Sequence, residues 1–485
     1  MLNEKTPLLD ALQQMAAKPH SAFYAPGHKQ GRGCLPRFKH LLEKYTLAAD
    51  LPELPELDNL FAPEGAIALA QELAAQTFGA KQTWFLVNGS TCGIVASILA
   101  VCGTGDKIIL PRNIHQSAIA GLILSGAIPI FINPEYDSAE GLAYNVSVES
   151  VRQALTEHPD VKAVMMLHPT YQGVCADLAA IAQLTHQYDI PLIVDEAHGA
   201  HFAFHPNLPP SALSVGADLT VQSTHKVLSA MTQASMLHLQ GDRISASRIN
   251  QALQLVESTS PNYLLLASLD AARQQMAIAG RKLMGQTLNL AKEARRQLQT
   301  VLNIAILHPS QSPGCHDLDL TRLTLNLSPL GITGFKADEI LHEQLAVTCE
   351  LPLLNHLSFI ISLGNTSADI QQLINAISNL SLFHQSPTSQ LPHFSTSSLP
   401  HSPTPLISPR QAYFADTQTI PLEQASDRLC GELICPYPPG IPLLMPGEII
   451  TTTSLEYLRQ VLEAGGTITG CKDPTLNTIQ VINHK

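Results

Sequence analysis

The sequence contains no Cys-x-x-Cys pair, no cluster of Lys and Arg, and no apolar run long enough to span a membrane. Each absence removes a class of function. With no basic patch and a formal net charge of −12, nucleic acid and other polyanions are not expected partners, and the sign favours cationic small molecules. The nine cysteines, at 34, 92, 102, 175, 315, 349, 430, 435 and 471, are scattered and odd in number. That pattern reads as free thiols in a reducing compartment. The start, "MLNEKTPLLDALQQ", reads as an amphipathic helix and not as a signal peptide, so a cytoplasmic location is expected. Charged residues make up only 14% of the 485, against 45% hydrophobic, which implies much buried surface in two or three domains.

What is present is a regular alternation. Short apolar runs at 83–88, 107–111, 128–133, 163–168, 191–198, 219–224 and 234–239 are separated by helical stretches such as "GIVASILAVCG" and "LAAIAQLTHQYD". This predicts an α/β fold with a mostly parallel seven-stranded sheet covered on both faces. The last two runs are too close for a helical crossover, so that pair should be antiparallel. Residues 1–64 read as an arm and 65–300 as the large domain. A small α/β domain is expected over 301–383 and a C-terminal α+β domain over 410–485. Between them, 384–409 is rich in Ser, Thr and Pro and almost uncharged, and reads as a flexible insertion that should tolerate deletion.

Four features fall at the carboxyl ends of the expected strands, where open α/β sheets place their sites. "NGSTCG" (88–93) follows a strand and opens a helix, so Ser90, Thr91 and backbone N–H groups could hold an anion, although taken alone a plain helix cap is the better reading. In "VDEAHG", Asp195 and His198 end the most apolar strand, where a carboxylate needs a cationic partner or caps the next segment. In "DLTVQSTHKVLSA", Lys226 ends a β-branched run beside Ser223 and His225. A lone lysine there would snorkel to solvent; a desolvated one becomes an amine nucleophile. His115, in "RNIHQSA", reads by itself as an ordinary satisfied histidine. Together these residues meet one demand: a cradle for phosphate, a carboxylate for a pyridinium nitrogen, a lysine for an aldehyde, and a flat partner for a ring. That is a site for pyridoxal 5'-phosphate, with Lys226 as the Schiff-base lysine and Asp195 facing the ring nitrogen.

Longer stretches carry a resemblance. "APGHKQGRG" (25–33), "LPELPELDNLFAPEGAIALAQELAAQTFGA" (51–80), "HPTYQGVCADL" (168–178), "STSPNYLLLASLDAAR" (258–273) and "YPPGIPLLMPGE" (437–448), with the motifs above, resemble the bacterial ornithine/lysine/arginine decarboxylases. The resemblance covers nearly the whole chain outside 384–409 and implies the aspartate-aminotransferase type of pyridoxal-phosphate fold, in a short form without an N-terminal wing domain. It implies that His115 stacks on the ring face, that Ser90, Thr91, Ser223 and His225 hold the phosphate, and that His198 and Thr170 lie close to ring and substrate. It also implies a homodimer with shared sites, to which Ser260 and Tyr263 of "STSPNY" are candidates to contribute.

An aminotransferase on the same fold would need an arginine for the carboxylate it keeps, and the late Arg410, Arg428 and Arg459 fall in no matching motif. A silent regulatory relative would be expected to have lost Lys226 or Asp195. His198, His201 and His205 have metal-like spacing without a helical register, and no metal is expected. The expected reaction is decarboxylation of a basic amino acid, arginine ahead of lysine and ornithine, with Glu448 a candidate acid for the substrate's cationic end.

Overall fold

A computed structural model describes residues 4–138, 140–301, 304–310, 312–380, 407–437 and 440–483. The main sheet is built from β1 (Gln82–Leu86), β2 (Lys107–Pro111), β3 (Ile128–Ile132), β4 (Ala163–Leu167), β5 (Leu192–Asp195), β6 (Leu219–Gln222) and β7 (Ser235–Leu239). These are the seven runs expected from the sequence, shortened by one to three residues at some ends. Almost every residue of β1, β2, β4, β5, β6 and β7 is buried, as continuous apolar strands require.

The chain divides into two compact units that cut across the expected 65–300 segment, with the boundary inside β5. In the first unit, residues 1–100 and 194–284, the strand order is β1-β7-β6-β5. Strand β7 runs antiparallel to both β6 and β1. The β6–β7 reversal was expected; the pairing of β1 with β7 was not. In the second unit, residues 101–193 and 285–485, the order is β5-β4-β2-β3, with β2 parallel to both β3 and β4.

The expected arm is more ordered than its Pro and Gly content suggested. It holds α1 (Pro7–Ala17) and α2 (Pro36–Ala49); α1 packs on α3 (Ala66–Phe78) and buries Leu8, Leu12 and Met15. Helix α1 has no side-chain cap of its own. Asp270 supplies one from a distance, accepting from the N–H groups of Leu8 and Leu9 at 3.0 and 3.4 Å while paired with Arg273.

The helices that matter to the site are α4 (Gly89–Val101), α5 (Gln116–Ser125), α6 (Val148–Glu157), α7 (Leu178–Gln187), α8 (Ala246–Val256) and the long α9 (Tyr263–Leu298). Gly93 brings α4 close to the sheet: a Cβ there would meet Leu86 and Val221 side-chain atoms at 2.7 and 2.8 Å. The second unit also carries a four-stranded antiparallel sheet centred on Arg322–Asn326 and His356–Ile360. Its C-terminal part pairs Thr417–Pro421 with Thr478–Ile482. Of the expected insertion, 384–406 lies outside the described residues; Ser408 already caps a helix at Pro409–Tyr413. No helix among the described residues is long and apolar enough to cross a membrane.

Candidate active site

In the first unit, three sequence segments meet at the carboxyl ends of β1, β5 and β6. Asp195, the last residue of β5, is 3% exposed and accepts from the Ala197 N–H at 3.1 Å. Burial pushes its carboxyl upward, and Lys226 pulls it back toward the ionised form. Lys226 follows β6 on a single helical turn, Thr224–Val227, and its Nζ lies 3.0 Å from Nε2 of the buried His198. The sequence motifs "VDEAHG" and "STHK" are thus brought together as expected.

Two of the four expected phosphate donors, Ser90 and Ser223, are in contact. Ser223 Oγ donates to Ser90 Oγ at 2.7 Å, which joins the end of β6 to the start of α4. Gly89 opens that helix at φ +74, a conformation that suits glycine, and Thr91 is exposed on the first turn. His225 Nδ1 is 2.9 Å from the Ala234 carbonyl, so Nδ1 carries the proton. The Oγ1 of Thr224 is buried and has no protein partner, a donor that an oxygen-rich ligand would satisfy. A helix N-terminus, hydroxyls from two segments and this unused hydroxyl fit a phosphate.

Several supports were not read from the sequence. The turn after β1 is pinned by Glu257, whose Oε1 accepts from the Val87 N–H at 3.1 Å and from the Cys92 thiol at 3.0 Å. Gln233 Nε2 donates to the Val87 carbonyl at 2.6 Å, and Asn88 Nδ2 donates to Val256 at 3.0 Å. Beneath Asp195, Glu196 accepts from the Ala212 N–H and from Gln222 Nε2, both at 2.7 Å. Because that Gln222 nitrogen donates, its Oε1 must accept from His238 Nε2–H at 3.1 Å, and His238 Nδ1 then accepts from Thr83 Oγ1 at 2.8 Å. Burial drives His238 down to about 3, so its ring is neutral at neutral pH, and burial pushes the Glu196 carboxyl up to about 8.

Tyr263 departs from its expected role. It is 0% exposed, and its hydroxyl donates to the Asp58 carbonyl at 2.5 Å, which ties α9 to the arm instead of presenting a hydroxyl outward. Ser260 is exposed in the turn before α9. Among the described residues no group of three His, Cys, Asp or Glu side chains could hold a metal; His198 contacts Lys226, and His205 Nδ1 accepts from the Asn207 N–H at 3.2 Å.

In the second unit, His115 follows β2 and caps α5, accepting from the Ser117 N–H at 3.2 Å. The Gln116 N–H donates to the Gly440 carbonyl at 3.1 Å, and a Cβ at Gly440 would come within 3.4 Å of His115 Nε2. Gly440 therefore borders His115. Thr170 is buried beyond β4, where its Oγ1 accepts from the Val174 N–H at 3.1 Å.

Glu448 differs from the expectation of a substrate-facing acid. It is 0% exposed; Arg112 grips both carboxylate oxygens at 3.1 and 2.9 Å, and the Met445 N–H donates to one of them at 2.9 Å. Arg112 also donates to the Pro442 and Leu443 carbonyls at 2.7 and 3.0 Å, so the pair clamps the C-terminal segment to the end of β2. Arg112→Ala leaves a buried, unpaired carboxylate and is expected to lower stability by about 3–5 kcal/mol, read as a fall in the thermal midpoint. An unchanged midpoint would contradict the clamp.

Residues 6–324 match the family description "Orn/Lys/Arg decarboxylase, major domain", and residues 393–474 match "Orn/Lys/Arg decarboxylase, C-terminal domain". The chain is 40% identical to an arginine decarboxylase of Bacillus subtilis over 100% of its own length and 99% of that protein. It is 38% identical to one of Bacillus anthracis over 99% and 98%. Its fold superposes on the lysine decarboxylase of Francisella novicida with a TM-score of 0.85 at 22% identity, over 99% of this chain and 82% of that one. From the lysine-bearing turn to the clamped C-terminal segment, the chain belongs to the Orn/Lys/Arg decarboxylase family.

Proposed function

We propose that this chain is a pyridoxal-phosphate-dependent decarboxylase of a basic amino acid, with arginine the favoured substrate and lysine and ornithine behind it. The observation that carries the reading is Lys226 Nζ at 3.0 Å from the buried His198 Nε2, next to Asp195 at the ends of neighbouring strands. The preference for arginine rests on relatives at 37–40% identity that are named arginine decarboxylases.

When bound, the cofactor supplies a conjugated cation that stabilises the electron pair left as carbon dioxide departs. The chain's residues do the rest. Lys226 would take the aldehyde, and Ser90, Thr91, Ser223 and His225 would hold the phosphate. Asp195 would hold a proton on the ring nitrogen. His198, almost wholly buried and within hydrogen-bond distance of Nζ, would pass protons to and from Lys226 in a site with little water. The roles of His115 and Thr170 rest on the family resemblance, as does a homodimer in which the exposed Ser260 faces the partner's site. The cytoplasmic reading is supported by nine cysteines that are all free thiols.

The test is carbon dioxide release from arginine, lysine and ornithine in parallel, with the absorbance of the cofactor-loaded protein recorded beforehand. Release from arginine exceeding the other two by tenfold or more is the expected result. Cofactor absorbance with no release from any of the three would overturn the reaction; equal release would overturn the preference.

A further inference from the structure

Next to Asp195 lies a second buried carboxyl that the reaction proposed above leaves without a task. Glu196 is 0% exposed, and an apolar side chain of similar size would fill its space at less cost than a carboxyl does. What the carboxyl adds is a set of directed contacts. Oε1 accepts from the Ala212 N–H, and Oε2 meets Gln222 Nε2 of β6, both at 2.7 Å. The backbone of Glu196 is tied as well: its N–H donates to the Val221 carbonyl and its carbonyl accepts from the Gly199 N–H, both at 2.9 Å. The side chain lies hard against the turn that this last bond closes, because a Cβ at Gly199 would come within 2.8 Å of Glu196 Cγ.

Each contact adjoins a residue assigned to the site. Asp195 precedes Glu196, His198 sits inside the 196–199 turn, and Ser223 follows Gln222. One side chain therefore braces both the turn bearing His198 and the end of β6. From Gln222 the hydrogen bonds run on through His238 to Thr83, which anchors the brace on β7 and β1. Such support matters, since a misplacement of about 1 Å in a reacting group can cost about 10²-fold in rate.

We propose that Glu196 is a positioning residue: through the 196–199 turn it sets His198 against Lys226, and through Gln222 it sets Ser223 in the anion cradle. The first half rests on the reaction proposed above; the second concerns cofactor affinity and is measured without substrate. Neither half needs a charge. Burial pushes the carboxyl up to about 8, and a protonated carboxyl can donate to a turned-over Gln222 amide across the same 2.7 Å. Glutamine at 196 can make the same two contacts.

The test follows cofactor loss from the holoprotein on dilution, together with kcat and KM for carbon dioxide release from arginine, well below each thermal midpoint. In Glu196→Ala the cofactor dissociation constant is expected to rise, and kcat to fall, by about tenfold or more each, with KM changed less than threefold. Glu196→Gln should return both to within threefold of the parent. Gln222→Met, of similar volume, cuts the cross-strand contact; it should raise the dissociation constant at least fivefold and keeps the test open if Glu196→Ala fails to fold. Leu323→Ala, in the core of the second unit, is the control for lost stability alone: its midpoint should fall while the dissociation constant stays within twofold. Equal losses in Glu196→Gln and Glu196→Ala would overturn the proposal. So would an unchanged dissociation constant in both Glu196→Ala and Gln222→Met, or a rise in Leu323→Ala as large as theirs. A parent that holds cofactor but releases no carbon dioxide would overturn the reaction and the role toward His198, and the dissociation constants would then decide the role toward Ser223 by themselves.

Discussion

Lys226→Ala is expected to abolish carbon dioxide release, with a loss on the order of 10⁴-fold or more, as for other nucleophiles that carry a covalent step. The side chain sits on one helical turn whose backbone is held by Ser223, and its Nζ is already directed at His198. Alanine removes the amine and leaves His198 without that partner atom. Lys226→Arg is the sharper control, because it keeps a cation beside Asp195 but cannot bond the aldehyde. Both variants should lose the near-visible absorbance of the loaded protein while retaining the fold by circular dichroism. A Lys226→Ala protein that released carbon dioxide within tenfold of the parent would remove Lys226 from the reaction.

Asp195→Asn is expected to keep most of the cofactor and to lose roughly 10²–10³-fold in turnover, the scale of removing one group aimed at charge that changes in the transition state. The carboxylate is buried at the end of β5, and the hydrogen bond it accepts from the Ala197 N–H survives in the amide oxygen of asparagine. What asparagine cannot do is stabilise a proton on the ring nitrogen. The phosphate donors come from β1 and β6 and are unchanged, so cofactor content should separate from rate. The opposite split, full rate per bound cofactor with most cofactor lost, would make Asp195 a binding residue only.

Much of this was legible because charge at the end of an apolar strand is anomalous. Asp195 and Lys226 stand out against the runs Leu192–Val194 and Leu219–Val221, and the strands stand out by their own continuity. Helix α2 did not, since Leu47 is its one buried residue and no apolar stripe marks it. The supports of the site were hidden for a different reason. Glu257, Gln222 and His238 take their meaning from partners on other strands, and Thr83 is 155 residues from His238. Glu448 looked available to a substrate cation because Arg112, which neutralises it, lies 336 residues earlier. Tyr263 looked available because nothing local shows that the Asp58 carbonyl will cover its hydroxyl.

The reversed strand β7 has a consequence for the order in which the chain assembles. Lys226 lies in the short connection between two adjacent antiparallel strands, and Gln222 and His238, which touch across them, are only 16 residues apart. Closing that loop costs about 2 kcal/mol less in chain entropy than bringing β1 against β7, whose contact between Thr83 and His238 spans 155 residues. The lysine hairpin is therefore a local structure that can zip early, whereas Asn88–Thr91 arrive with an edge strand recruited across a long separation. Nascent chains would then acquire the reactive amine with Ser223 and His225 before Ser90 and Thr91, and retention of the phosphorylated vitamin would coincide with docking of the sheet's edge.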